Sequence, residues 1–87
     1  MKLPSYLSAC DPSARVFPLD WKVAFYRLNG GSDSGYVCPR CKKVFLGPED
    51  FEELHGDHVM SIKVGGLTTW DNLQLLCGPC NLAKGSR

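Results

Sequence analysis

Apolar residues along the chain fall into short runs broken by turn formers, and none approaches the roughly 18 to 20 apolar residues that span a bilayer. The longest periodic stretch starts at Pro18 and predicts a helix ending near Asn29. Leu19, Val23 and Tyr26 form one stripe, with Trp21, Phe25 and Leu28 beside it, and the aromatics read as core. Upstream, Asp11-Pro12-Ser13-Ala14-Arg15 sets an N-cap residue before proline and predicts a short turn of helix. Gly30-Gly31-Ser32-Asp33-Ser34-Gly35 predicts a flexible connector. Beyond it, Tyr36-Val37 and Lys43-Val44-Phe45 flank a turn and predict a hairpin. Val59-Met60-Ser61-Ile62 and Asn72-Leu73-Gln74-Leu75-Leu76 predict two strands joined by a loop from Lys63 to Asp71, with Trp70, Leu73 and Leu75 in the core. A helix of barely two turns follows, framed by Pro79 and a C-cap at Gly85, and it would not hold alone.

Eighty-seven residues at 44% apolar make one domain of ordinary globular composition, with a core too small to secure the fold without a staple. The cysteines offer one. Four of the five form two CxxC pairs, Cys38 with Cys41 and Cys77 with Cys80. The segment Leu7-Ser8-Ala9-Cys10 resembles a lipoprotein cleavage box, but only six residues precede it and Pro4 interrupts them, so the chain is expected to be soluble and cytoplasmic, with reduced thiols. Two CxxC pairs then predict a tetrahedral four-cysteine Zn²⁺ site, with a redox dithiol as the rival reading. Zinc would tie the tip of the first hairpin to the start of the last helix. Cys10 has no partner at ligand spacing and reads as a buried small side chain.

Charge says less. Four thiolates around a dication take the formal +1 slightly negative, so bulk attraction to nucleic acid is absent. Glu49, Asp50, Glu52, Glu53 and Asp57 cluster together, whereas Arg40, Lys42, Lys43, Lys63, Lys84 and Arg87 lie in or near the zinc and C-terminal elements and could form a phosphate-facing patch.

The spacing between the pairs is more informative. A simple zinc ribbon separates its knuckles by about 15 to 20 residues, but positions 42–76 supply 35 here. The insert carries His55, Asp57 and His58, then a Gly65-Gly66 loop, then Asn72. The whole run DHVMSIKVGGLTTWDNLQLLCGPCNLAKG, with CPRC upstream, resembles the HNH endonuclease family from Cys38 to about Arg87. The resemblance implies an α+β chain with the ββα-metal fold. One domain would cover residues 1–87, an N-terminal helical segment at 1–35 preceding a zinc-bound core at 36–87. It implies a metal-dependent nuclease site beside the structural zinc.

By that resemblance His58 is the general base, Asp57 and Asn81 hold the catalytic ion, and Asn72 bridges the backbone of the long loop to keep His58 in place. An imidazole titrating near neutrality suits the first role. Carboxylate and amide oxygens suit Mg²⁺ or Mn²⁺, the more so because asparagine stands at 81 where the family often has histidine. If Asp57 and His58 are strand neighbours they point to opposite sides, one toward an ion and one toward the attacking water. Lys84 lies three residues from Asn81 and His55 two before Asp57, and both are candidate phosphate contacts. Singly, each residue has an ordinary alternative: exposed polarity for the Asp-His pair and for His55, a turn residue at 72, a solvated helix face at 81 and 84. The combined expectation is a metal-dependent endonuclease cutting DNA phosphodiester bonds, nicking with low sequence specificity, as a monomer or weak homodimer with no membrane contact. A non-catalytic zinc module binding nucleic acid or protein is the alternative.

Overall fold

The computed structural model describes residues 3–85. Its centre is the strand β4 (Leu73–Cys77), in which Leu75 and Leu76 are fully buried. β4 pairs antiparallel with β3 (Leu54–His58) in a register that sets Asp57 opposite Gln74 and His58 opposite Leu73. The two faces of this hairpin are covered differently. The helix α1 (Leu19–Leu28) packs on β4, and the short α3 (Gly78–Lys84) packs on both strands. A second, two-residue hairpin, β1 (Tyr36–Val37) with β2 (Val44–Phe45), carries Cys38 and Cys41 at its turn, and α2 (Gly47–Phe51) leads from it to β3. The order is thus helix, hairpin, helix, strand, long loop, strand, helix, an α+β arrangement.

The first hairpin, the last helix and its Gly85 cap, in the left-handed region at φ 66°, form where the sequence predicts them. Other elements differ. The strand expected at Val59–Ile62 lies earlier, at Leu54–His58, and Val59 and Met60 are both 55% exposed. Asn72 explains the break: its Oδ1 accepts from the Met60 amide at 2.8 Å and its Nδ2 donates to the Met60 and Leu67 carbonyls at 3.0 and 2.7 Å, so the chain at Met60 is drawn into the loop. The helical turn expected at Asp11–Arg15 is a single hydrogen-bonded turn, with the Ala14 amide on the Asp11 carbonyl at 2.9 Å. A longer helix there would need carbonyls that Thr68 takes. The Thr68 amide donates to Pro12 at 2.8 Å and its hydroxyl donates to Ala14.

The connector at 30–35, expected to be flexible, is a closed turn. The Gly31 amide donates back to Tyr26 at 2.8 Å, and the Gly47 amide reaches across to the Gly31 carbonyl at 2.8 Å. On α1 the buried positions are Trp21, Ala24 and Tyr26, while Leu19 and Leu28, expected on the inner stripes, are exposed. The helix α2 lies in the acidic stretch, where the sequence predicts no element. Cys10 is half-buried against the core rather than enclosed. Among the described residues no helix is long and apolar enough to cross a membrane.

The N-terminal residues complete the core. Phe17 and Trp21 are buried with Trp70, whose ring meets that of Trp21 edge-on at 6.1 Å, and the Trp21 indole donates to the Ser8 carbonyl at 2.7 Å. Tyr36 links the two hairpins. Its hydroxyl donates to the Leu75 carbonyl at 2.7 Å and accepts from the Leu75 amide at 3.1 Å, closing the side of β4 that no strand covers. Burial pushes the phenol up to about 12, so it remains a donor throughout the working pH range. Tyr36→Phe should strand both backbone groups and cost about 1 to 3 kcal/mol of stability, read as a lowered denaturant midpoint with an unchanged slope.

Candidate active site and metal centre

The sulfurs of Cys38, Cys41, Cys77 and Cys80 all lie within 4.8 Å of one another. Two of the separations are 3.9 Å (Cys38 to Cys77) and 3.7 Å (Cys41 to Cys77). A tetrahedron with metal–sulfur bonds of about 2.3 Å has edges of about 3.8 Å, whereas a disulfide needs about 2.05 Å. The spacing therefore fits a tetrahedral thiolate site and not a dithiol–disulfide couple in its oxidised form. Protonation points the same way. Burial works against the Cys38 thiolate, but the backbone amides of Cys41, Cys77 and Arg40 and the Cys41 thiol outweigh it and bring Cys38 down to about 6. Cys80, hydrogen-bonded to Cys77, partly desolvated and crowded by Cys41 and Cys38, is pushed up to about 12. The hydrogen bonds among the four sulfurs thus divide their protons unequally, and a dication would replace those protons.

The second centre is built on β3. Pleating sends Asp57 and His58 to opposite faces. Asp57, 5% exposed, faces α3: the Lys84 ammonium sits 2.5 Å from its Oδ2 and 2.5 Å from the His58 carbonyl, and the Gln74 amide donates to the same Oδ2 at 2.8 Å. His58 faces the N-terminal segment. Its ring lies 4.3 Å from that of Phe17, tilted by 33°, and its Nε2 is 2.8 Å from the Thr68 hydroxyl. Burial lowers its pKa below the ordinary 6.5; the Lys84 charge adds to this and Asp57 opposes it.

A cleft of about 400 Å³ opens at this strand, lined by His55, Asp57, His58 and Asn81 together with Arg15, Phe17 and Lys22. Asn81 reaches it because Cys80, one residue earlier on α3, belongs to the sulfur cluster. Asn72 stands outside the cleft, pinning both ends of the loop between the strands. Lys84 points at Asp57 instead of lining the cleft. His55 shares the face of Asp57 and lies beside the first residue of α3, where a Cβ on Gly78 would come 3.6 Å from its Nε2. Of the basic group expected as a phosphate patch, Lys84 alone among the described residues reaches this centre, and Arg87 lies outside the described residues.

Sequence reasoning missed Phe17, Thr68, Arg15 and Lys22. The first 17 residues carry no motif for catalysis or phosphate binding, and a threonine between a glycine pair and a tryptophan has no chemical signature. The residue that hinted at the arrangement is Gly56. A Cβ there would come 2.8 Å from Lys22 Cδ and 3.6 Å from Phe17 Cδ2, so the strand needs glycine where the N-terminal segment lies against it.

Removing the metal from the four-cysteine site tests its structural role. A chelator strong enough to strip one zinc per chain should unfold the protein, since such sites contribute on the order of 10 kcal/mol to folding. Cys77→Ser should abolish tight zinc binding and give the circular dichroism of an unfolded chain.

The model of the family described as HNH endonuclease matches residues 38–87. No curated protein and no solved structure matches the chain. The match takes in both cysteine pairs, the strand pair bearing Asp57 and His58, and α3, which is more than half of the sequence, and the chain accordingly belongs to the HNH endonuclease family.

Proposed function

We propose that the chain is a divalent-metal-dependent nuclease that hydrolyses phosphodiester bonds in DNA, nicking one strand per encounter with little sequence preference. What supports this reading above all is that one cleft gathers an imidazole held below its ordinary pKa, a carboxylate and a carboxamide. His58 is the general base: a ring that is neutral at pH 7 takes the proton from a water attacking phosphorus. Asp57 and Asn81 offer oxygen donors suited to Mg²⁺ or Mn²⁺. Such an ion supplies Lewis-acid polarisation of the phosphoryl group and stabilises the departing 3′ oxygen. Arg15 and Lys22, neither of them ion-paired among the described residues, stand in the same cleft and neutralise the flanking phosphates. None of these groups forms a base-reading array, which is the ground for weak sequence preference.

One observation favours the alternative, a non-catalytic zinc module binding nucleic acid or protein. Lys84 already balances the Asp57 charge, so the carboxylate is satisfied with no divalent ion. Supercoiled plasmid separates the readings. The nuclease converts it to open circles with Mg²⁺ or Mn²⁺ and not with EDTA, and His58→Ala lowers the rate by about 10²- to 10⁴-fold. Binding without conversion under any of these ions would leave only the module.

The His58 shift also has a sign. Its folded pKa is lowered, so the acidic limb of the kcat/KM profile should fall below pH 6.5. Folding favours the neutral ring for the same reason. That stability is complete above the unfolded value of 6.5 and is lost as pH falls through the lower folded value. Rate and stability profiles from pH 5 to 8 check both directions.

A further inference from the structure

The proton on the His58 ring is fixed by what lies behind it. Thr68 is 1% exposed, and its hydroxyl has one hydrogen to give. The Ala14 carbonyl can only accept, so the hydroxyl donates there. Its oxygen is left to accept from the other partner, the His58 Nε2 at 2.8 Å. An Nε2 that donates carries the ring hydrogen when the imidazole is neutral, which leaves Nδ1 with the free lone pair. The Thr68 backbone amide is anchored to the Pro12 carbonyl at 2.8 Å, and Phe17 lies against the imidazole at 4.3 Å. Pro12, Ala14 and Phe17 all precede the residues that match the family, 38–87.

We infer that Thr68 is the positioning residue of His58: relayed from the Ala14 carbonyl, its hydroxyl holds the imidazole in the Nε2–H tautomer and presents Nδ1 as the atom that takes the proton. The N-terminal segment thereby completes the base as well as the core. This rests on the nuclease reading only for its kinetic consequence, because the tautomer is a property of the resting protein.

Two measurements test it. Long-range ¹H–¹⁵N correlation on the zinc-loaded wild-type chain, at a pH where His58 is neutral, should report the Nε2–H form; an Nδ1–H ring would overturn the assignment with no cleavage assay. Thr68→Val keeps the shape and removes the hydroxyl, and should lower kcat at least about 10-fold with KM nearly unchanged, while the ring signals shift toward the other tautomer. Thr68→Ser keeps the hydroxyl and should restore both readouts. Equal losses in the valine and serine variants, matched by equal losses of thermal stability, would make Thr68 a packing residue and overturn the inference. If the wild type shows the expected tautomer and cleaves no plasmid, the nuclease reading fails while the positioning of His58 stands.

Discussion

Four sulfurs from opposite ends of the matched segment meet at one point, and the rest of the molecule is arranged around that closure. Cys38 and Cys41 sit at the turn of a hairpin two residues long on each side; Cys77 ends β4 and Cys80 lies in the first turn of a seven-residue helix. None of these pieces is stable by itself. A two-stranded hairpin of that size is marginal in water, and a helix of two turns falls below the length at which nucleation is offset by propagation. Joined through a dication, each becomes the other's anchor. The consequence for the second centre is direct, since Asn81 and Lys84 stand on α3, one and four residues beyond a sulfur ligand.

β4 transmits that order to β3. The sequence His55-Gly56-Asp57-His58 is poor strand material, since it carries a glycine and an aspartate, both depleted from strands. It is extended because Leu73, Leu75 and Leu76 on the partner are almost wholly buried and fix the register. Local preference and the final conformation disagree at the residues proposed to carry the chemistry, as is common where function constrains side chains. The face of β3 bearing His58 is then backed by the N-terminal segment, and the face bearing Asp57 by α3, so the two groups answer to two different parts of the chain.

What could be read from the sequence follows from the same division. The cysteine pairs, the first hairpin and the last helix with its glycine cap are local features, set by residues within a few positions of one another, and the family membership is carried by the order of such features along residues 38–87. The position of β3 was not legible, because Val59-Met60-Ser61-Ile62 is the better strand by composition and only the Asn72 amide, acting across the loop, turns it aside. The turn at Asp11 stays a single turn for a similar reason: its N-cap and proline suit the start of a helix, but Thr68, more than fifty positions away, draws on the Pro12 and Ala14 carbonyls. Phe17, Arg15 and Lys22 could not be assigned to the cleft at all, since the chain brings them there by wrapping and no motif marks that.

The Asp57–Lys84 pair sets a condition on any account of the chemistry. The Asp57 carboxylate, 5% exposed, meets the Lys84 ammonium at Oδ2, and the same ammonium also binds the His58 carbonyl. The pair explains how a strand can keep an acidic group out of water. It also engages Lys84: two of the three ammonium hydrogens are directed at oxygens of β3, the Asp57 Oδ2 and the His58 carbonyl, which leaves one for another acceptor. A cation that took over the carboxylate would free a second hydrogen of the lysine. A phosphate role for Lys84 is therefore compatible with an ion on Asp57 and does not depend on one.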